Sequence, residues 1–349
     1  MDANHLEDLN KIAVAMVAPG KGILAADEST GTIKKRFDSI GVESTEDTRR
    51  DYRELLFRTE EAMQERISGV ILFDETLRQK AADGTPLVKL ITDAGSIPGI
   101  KVDKGAKDLA GYPDEKVTEG LDGLRERLEE YHQLGARFAK WRAVIDIGRG
   151  GDKAMPSYGC LKANAHALAR YAALCQEQRI VPIVEPEVLM DGDHDIDRCY
   201  DVTRWGLTYL YEELYAAGVA LEGTILKPNM IIAGKKADQQ ASSEEIAEKT
   251  LKCFREAVPA AVPGIVFLSG GQSEVEATKN LHVINQAPAS QRPWSISFSY
   301  GRALQASALS AWGGQTDNVE AAQAAFAHRS KMNGLAQEGQ WAQSMEQAG

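Results

Sequence analysis

Along the chain, short runs of near-continuous apolar residues alternate with longer stretches in which apolar residues recur every three or four positions. The short runs are GKGILAAD, SGVILFD, IPGIKVD, ARFAKWR, IVPIVEPE, GTILKP, GIVFLSGG and SISFSYG. None shows a clean apolar–polar alternation, as expected of parallel strands covered on both faces. Between them the spacing predicts amphipathic helices. In TEDTRRDYRELLFRTEEAM, Tyr52, Leu55, Leu56 and Met63 share a face, and in GLDGLRERLEEYHQLG so do Leu121, Leu124, Leu128 and Tyr131. Ser242 with Glu245, and Ser273 with Glu276, fit the capping-box pattern of helix starts. Eight strands, each followed by a helix, predict an α/β chain folded as one (β/α)8 barrel, a TIM barrel, in a single domain over residues 1–349. A doubly wound open sheet is disfavoured by the count of eight and by the lack of a Gly-rich dinucleotide turn after the first strand. An additional N-terminal helix is expected. After Arg302 the sequence turns rich in Ala, Gln and Ser, which predicts helices packed around the barrel and then a mobile tail over about residues 330–349.

In such a barrel the catalytic residues sit at the C-terminal ends of the strands, and the charges of this chain collect there. Strand one ends in Asp27 and Glu28, strand three carries Lys101 and Asp103, strand four Lys140 and Arg142, strand five Glu185 and Glu187, and strand six Lys227. Members of the pairs 101/103, 140/142 and 185/187 are two apart, so each pair points to one face of its strand. One such residue reads as a solvated strand end; carboxylates and amines converging from five strands read as a site. Lysine at the end of an apolar run, as in GTILKP, is unusual because the ammonium loses its hydration there. A lysine among other cations and out of water gives up its proton more readily and becomes a nucleophile for carbonyls. Lys227 is the candidate, with Lys140 as the neighbouring cation and the glutamates as carriers of the protons of carbinolamine chemistry. The plainer alternative is a structural Lys227 bridged to Glu185 or Glu187. Strands seven and eight end in LSGGQSE and SYGRAL, where small residues free backbone N–H groups and Gln272 or Ser273 opens a helix. Ser269, Gly270, Gly271, Gly301 and Arg302 together predict an anion site, at the place where this fold frequently binds phosphate.

Composition narrows the function. The 349 residues are 43% hydrophobic and 26% charged, with a net charge of −11, which disfavours a nucleic-acid partner needing a basic surface. The early apolar run IAVAMVAP follows acidic and polar residues, so no secretory signal is expected, and no stretch is long enough to cross a bilayer. Cys160, Cys175, Cys199 and Cys253 form no CxxC pair and read as buried free thiols in a reducing cytoplasm. The six histidines are scattered, and DGDHD (191–195) lacks the ligand order of a calcium loop and reads as a helix cap. No metal or organic cofactor is expected. His132 and His166 read as ordinary helix residues, and Lys235-Lys236, in a polar loop, as solvated.

The blocks GKGILAADESTG, GVILFDETL, GIKVDKG, FAKWR, VPIVEPE, DGDHD, LEGTILKPNM, FLSGGQSE and FSYGRALQASALSAWGG run in order from Gly20 to Gly314. They closely resemble class I fructose-1,6-bisphosphate aldolase. The resemblance implies a cytoplasmic, homotetrameric lyase acting on a sugar phosphate in glycolysis and gluconeogenesis. Lys227 is then the Schiff-base lysine, Glu185 the main acid and base, and Asp27 and Lys140 the groups around the C4 hydroxyl, with Glu187 in support. Ser269, Gly270, Gly301 and Arg302 hold the C1 phosphate; Ser29, Lys101 and Arg142 lie towards the C6 phosphate, with Lys35 and Arg36 near the mouth. Thr32 stands where many relatives have serine, with a hydroxyl still able to bind phosphate. Many relatives end in a tyrosine that exchanges the C3 proton of the enamine. This sequence reads Gln347-Ala348-Gly349 with its last tyrosine at Tyr300, so another group moves that proton or the step is slow. A transaldolase-like or deoxyribose-phosphate-aldolase-like enzyme is the alternative within imine chemistry, and a scaffold protein gripping an acidic partner is the alternative outside it.

Overall fold

The computed structural model describes residues 2–150 and 153–347. Eight strands form a closed, wholly parallel barrel: Gly22–Ala26, Ile67–Leu72, Ile97–Lys101, Phe138–Ile145, Val181–Val188, Ile225–Leu226, Gly264–Phe267 and Ser295–Tyr300. Each strand pairs with its neighbours in sequence, and the first pairs with both the second and the eighth. All eight runs read from the sequence are barrel strands, in the order expected.

Two cores explain why the runs do not alternate. Ile23, Ala25, Ile71, Phe138, Val181, Ile183, Ile225 and Val266 point inward and pack on one another. The intervening residues, among them Leu24, Leu72, Trp141, Val184, Leu226 and Phe267, point outward into a larger core beneath the helices. Both faces of each strand leave water, so both are apolar. Phe138 fills the barrel where its neighbours have no side chain: a Cβ on Gly99 would lie 2.3 Å from its ring. The N-terminal helix, Ala3–Met16, is capped by Asp2, whose carboxylate accepts from the His5 N–H at 2.8 Å. Its Leu9, Ala13 and Met16 belong to the inward core and close the N-terminal end of the barrel.

Helix starts follow the sequence signals in part. Ser273 and Glu276 form a full capping box, whereas Ser242 accepts from the Glu245 N–H without the reciprocal bond. The amphipathic stretch after Thr45 is two helices, Glu46–Phe57 and Glu60–Glu65, rather than one. The break falls at Thr59, with ψ of 84°, whose hydroxyl donates to the Leu55 carbonyl at 3.0 Å. Tyr52, Leu55, Leu56 and Met63 are all buried, so the apolar face survives the break. Leu121 lies ahead of its helix, Leu124–Gln133, and still packs on the core.

The stretch expected as a tail contains regular elements. Residues 330–337 complete the helix Val319–Gln337, and a 3-10 turn follows at Gln343–Gln347. Arg329 donates two bonds to Glu346, at 3.0 and 2.6 Å, Trp341 Nε1 donates a third at 2.8 Å, and Trp341 is buried. The Arg329–Glu346 ion pair, invisible in local sequence, joins this segment to the helix before it. Ala348 and Gly349 lie outside the described residues, so the reading of the chain's end is not addressed by the structure.

Candidate active site

The inward face of the strands changes character towards their C-terminal ends. Going up strand one, the inward positions are Ile23, Ala25 and Asp27; up strand four, Phe138, Lys140 and Arg142; up strand five, Val181, Ile183, Glu185 and Glu187; up strand six, Ile225 and Lys227. The aliphatic members fill the barrel and the charged members line its mouth. The period of two along a strand carries one side of the chain from core to site without a turn. This is why Lys227 ends an apolar run. Its N–H donates to the Val184 carbonyl at 2.8 Å, so it is still on the ladder, and Pro228 ends the strand without a donor of its own. Asn229 then fastens the segment, accepting from the Val188 N–H at 3.0 Å and donating to Thr203 at 3.1 Å.

Four charges form the centre. Glu185 Oε1 lies 3.1 Å from Lys227 Nζ, and Oε2 lies 3.3 Å from Lys140 Nζ. Lys140 Nζ in turn lies 2.8 Å from Asp27 Oδ2. Lys227, Lys140 and Glu185 are 4%, 5% and 3% exposed, so the two cations and two anions balance each other out of water, as buried charges must. Glu185 Oε2 lacks an aligned hydrogen bond despite its ion-pair distance. Burial works to raise the Asp27 carboxyl, yet Lys140, Lys101 and Lys227 outweigh it and hold it well below the usual carboxylate range. Glu185 shows the same contest, with Lys140, Lys227 and Arg142 prevailing over burial. Lys140 is held above the ordinary lysine value because Asp27 and Glu185 overcome its desolvation. Asp27, Glu185 and Lys140 are each shifted towards their charged forms.

Around this centre every sequence-predicted site residue lines one cavity of about 690 Å³: Asp27, Lys140, Glu185, Glu187 and Lys227, with Ser29, Thr32, Lys35, Arg36, Lys101, Arg142, Ser269, Gly270, Gly271, Gly301 and Arg302. The sheet register sets Lys101 beside Lys140 and Arg142 beside Glu185. Glu187 is engaged by the Arg142 guanidinium. Burial would lower Arg142, but Glu187 outweighs it and raises it.

The two ends of the cavity both suit anions. At one, Ser29 is the N-cap of the helix Thr30–Asp38 but makes no capping bond; its hydroxyl pairs with that of Thr32 at 3.1 Å, so the first-turn N–H groups have no side-chain cap. At the other, Gly270 and Gly271 both take positive φ, 54° and 76°, a conformation that favours glycine. Their N–H groups donate to no acceptor among the described residues, which leaves them for an anion. Gly301 precedes the helix Arg302–Trp312 with no side-chain cap. Arg36 reaches this second end: its Nη2 would lie 3.6 Å from a Cβ on Gly301, and it is paired with Glu28. Lys101, by contrast, stands over the Phe73 ring at 5.2 Å.

Sequence reasoning missed some neighbours. Asp103, read among the converging charges but given no role, accepts from the Arg142 N–H at 3.3 Å and so steadies strand four. Lys235, read as solvated, lines the cavity with Asp191 and Met190. The available signal was the run Met230–Ala233 before it, apolar and in fact buried, which keeps that loop at the mouth. The DGDHD segment does cap a helix: Asp195 accepts from the Arg198 N–H at 2.7 Å. The four cysteines are free and buried. Among the described residues no group of three or more His, Cys, Asp or Glu converges as metal ligands, and no helix is long and apolar enough to cross a membrane.

Comparison with known proteins agrees with this geometry. The family model described as "Fructose-bisphosphate aldolase class-I" matches residues 8–349. A Xanthomonas campestris protein named "Probable fructose-bisphosphate aldolase class 1" is 59% identical over 337 residues, covering 96% of this chain and 99% of the relative. The Drosophila melanogaster fructose-bisphosphate aldolase is 54% identical over 343 residues, 98% of this chain and 93% of the relative. Among solved structures, the fructose-bisphosphate aldolase of Plasmodium falciparum, crystallised with TRAP and a small-molecule inhibitor, superposes with a TM-score of 0.94 at 48% identity. The superposition covers 98% of this chain and 97% of that one.

Proposed function

The chain belongs to the class I fructose-bisphosphate aldolase family, and on that premise we propose that it cleaves fructose 1,6-bisphosphate reversibly into dihydroxyacetone phosphate and glyceraldehyde 3-phosphate through an imine on Lys227. The observation that carries this reading is the bridging of Lys227 and Lys140 by one buried carboxylate, Glu185, between two anion-binding ends.

Lys227 passes its ammonium proton to Glu185, 3.1 Å away, and the freed amine adds to the C2 carbonyl of the open-chain ketose to give a carbinolamine. Glu185, within hydrogen-bond reach of that nitrogen, supplies the proton with which the C2 hydroxyl leaves as water, giving an iminium. Its electrostatics suit this timing. In the free protein the Lys227 ammonium helps hold Glu185 ionised; conversion to a neutral carbinolamine removes that cation, so the proton affinity of Glu185 rises as an acid is needed. Glu185 then takes the C4 hydroxyl proton, the C3–C4 electrons flow into the iminium, and the aldehyde departs from an enamine. Lys140, held between Asp27 and Glu185, polarises the C4 oxygen as charge develops on it. Protonation of the enamine at C3 and addition of water to the resulting iminium release the ketone and restore Lys227. Glu187 serves by holding Arg142.

Ser269, Gly270, Gly271, Gly301 and Arg302 receive the C1 phosphate, and Arg36 closes on the same end. Ser29, Thr32, Lys101 and Arg142 receive the C6 phosphate, with Lys35 at the rim. A homotetramer in the cytoplasm completes the reading. Exposed aromatic residues such as Tyr158 and Tyr215, 65% and 86% accessible, are candidates for subunit contacts, and light scattering of the purified protein reads the mass directly.

The deciding experiment adds fructose 1,6-bisphosphate and then borohydride, with a chelator present, and maps the modified peptide by mass spectrometry. A reduced triose- or hexose-phosphate adduct on Lys227 is expected. A folded protein without one would return Lys227 to a structural ion pair and favour a scaffold role.

A further inference from the structure

We propose that Lys235 is a further specificity-determining residue, a cation that grips the phosphate held on the Ser269–Gly271 turn and so selects ketoses phosphorylated at that end. This rests on the aldol-cleavage reading above. The residue lies eight positions beyond Lys227 in a loop whose polar sequence suggests simple solvation, and the structure gives it a defined place instead.

Three successive backbone bonds fix the loop. The Gly234 N–H donates to the His194 carbonyl at 2.8 Å, the Lys235 N–H to Met190 at 2.7 Å, and the Lys236 N–H to Gly192 at 3.0 Å. The segment is thus clipped to the loop that follows strand five, and the clip aims the Lys235 side chain across the turn that follows strand seven. A Cβ built on Gly271 would lie 2.6 Å from Lys235 Nζ and 2.9 Å from Met190 Sδ. Gly271 is therefore required twice, once for its φ of 76° and once to leave room for the ammonium. Lys236, the next residue, does not line the cavity, although both lysines share one loop.

The ammonium stands beside Gly271, and the N–H groups of Gly270 and Gly271 donate to no acceptor among the described residues. An anion bound to them falls within reach of Lys235. The present partner of Lys235 is Asp191, at 3.2 Å, with side chains 44% and 69% exposed. A pair that open to water is weakly held. A phosphate dianion, with three acceptor oxygens and more charge than a carboxylate, makes stronger charge-assisted bonds and displaces it. Asp191 and the phosphate therefore compete for one ammonium, and Asp191 weakens phosphate binding by an amount that its removal reveals.

The test uses Lys235→Met, Lys235→Arg and Asp191→Asn in the full chain. Borohydride trapping on Lys227 is followed as a function of dihydroxyacetone phosphate, which carries the phosphate, and of dihydroxyacetone, which does not. In Lys235→Met the half-saturating concentration of the phosphate ester rises about five- to tenfold, that of dihydroxyacetone stays put, and the loss in fructose 1,6-bisphosphate cleavage falls on KM rather than kcat. Lys235→Arg recovers most of the affinity. Asp191→Asn shifts the phosphate ester the other way, by about two- to threefold. A Lys235→Met protein that traps both ketones as the wild type does, or that weakens both alike, overturns the proposal while leaving the Lys227 reading intact. A wild-type protein that forms no adduct on Lys227 overturns both.

Discussion

Glu185 and Glu346 both hold their carboxylates against cations and largely out of water, and they are held in opposite ways. Glu346 receives three aligned hydrogen bonds, two from Arg329 and one from Trp341 Nε1. Glu185 has two lysine ammoniums at 3.1 and 3.3 Å, and its Oε2 finds no aligned donor. A planar guanidinium fork matches a carboxylate and saturates it; an ammonium approaches as a point charge and leaves lone pairs unused. The saturated carboxylate fastens a segment. The other is charged and caged but can still accept a proton, which is what an acid–base residue needs. Fully satisfied networks make for rigidity, and incomplete satisfaction in a native site marks chemistry.

The contrast is breakable. Lys227→Met is the largest break: borohydride labelling disappears and kcat falls by about a thousandfold or more, while far-UV circular dichroism stays native. Glu185→Gln keeps the shape of the cage and removes its proton carrier, so kcat falls by about 10² to 10⁴; an amide with near wild-type turnover would remove Glu185 from the mechanism. Lys101→Ala sharpens the assignment of the two ends. It raises KM for fructose 1,6-bisphosphate about tenfold and leaves fructose 1-phosphate, which lacks the distal phosphate, nearly unaffected.

Glu346→Gln is the counterpart on the other side. It leaves kcat unchanged and weakens the docking of residues 338–347 by about 2 kcal/mol, read as faster hydrogen exchange there and altered Trp341 emission. Its pH dependence has a definite sign. Burial opposes the Glu346 charge, but the Arg329 and Trp341 donors outweigh it and lower the carboxyl below its ordinary value. A lowered folded value stabilises above the unfolded carboxyl pKa, about 4.3, and the contribution is lost as pH falls through the folded value. The wild type should thus exceed Glu346→Gln in docking at pH 7 and converge with it in acid. A difference that widened on acidification would show that Arg329 does not depend on an ionised Glu346.

The parts of the molecule legible in sequence are those governed by local periodicity. Each strand announced itself because residues of both parities along it are apolar, and the charged strand ends stood out against that background. Lys227 was noticeable for being a lysine where aliphatic residues belong. The break at Thr59 was not legible, since Tyr52, Leu55, Leu56 and Met63 share a face with or without it. Nor was the place of Arg36, which reaches Gly301 at the end of the eighth strand.

By itself, then, the sequence determined the barrel and which charged residues gather at its mouth. A strand of period two carries its inward face straight from Ile225 to Lys227, and from Ile183 to Glu185. Tertiary structure alone decided which charges meet. The spacing left open whether Glu185 or Glu187 would face Lys227; closure of the barrel gave Glu185 to the two lysines and Glu187 to Arg142. It also seated Lys235 on a turn 36 residues further along the chain and tied Glu346 to Arg329. The physical reason is range. Side-chain periodicity is set by neighbours a few bonds away, whereas the pairing of buried charges is settled only when desolvation makes every unpartnered one costly.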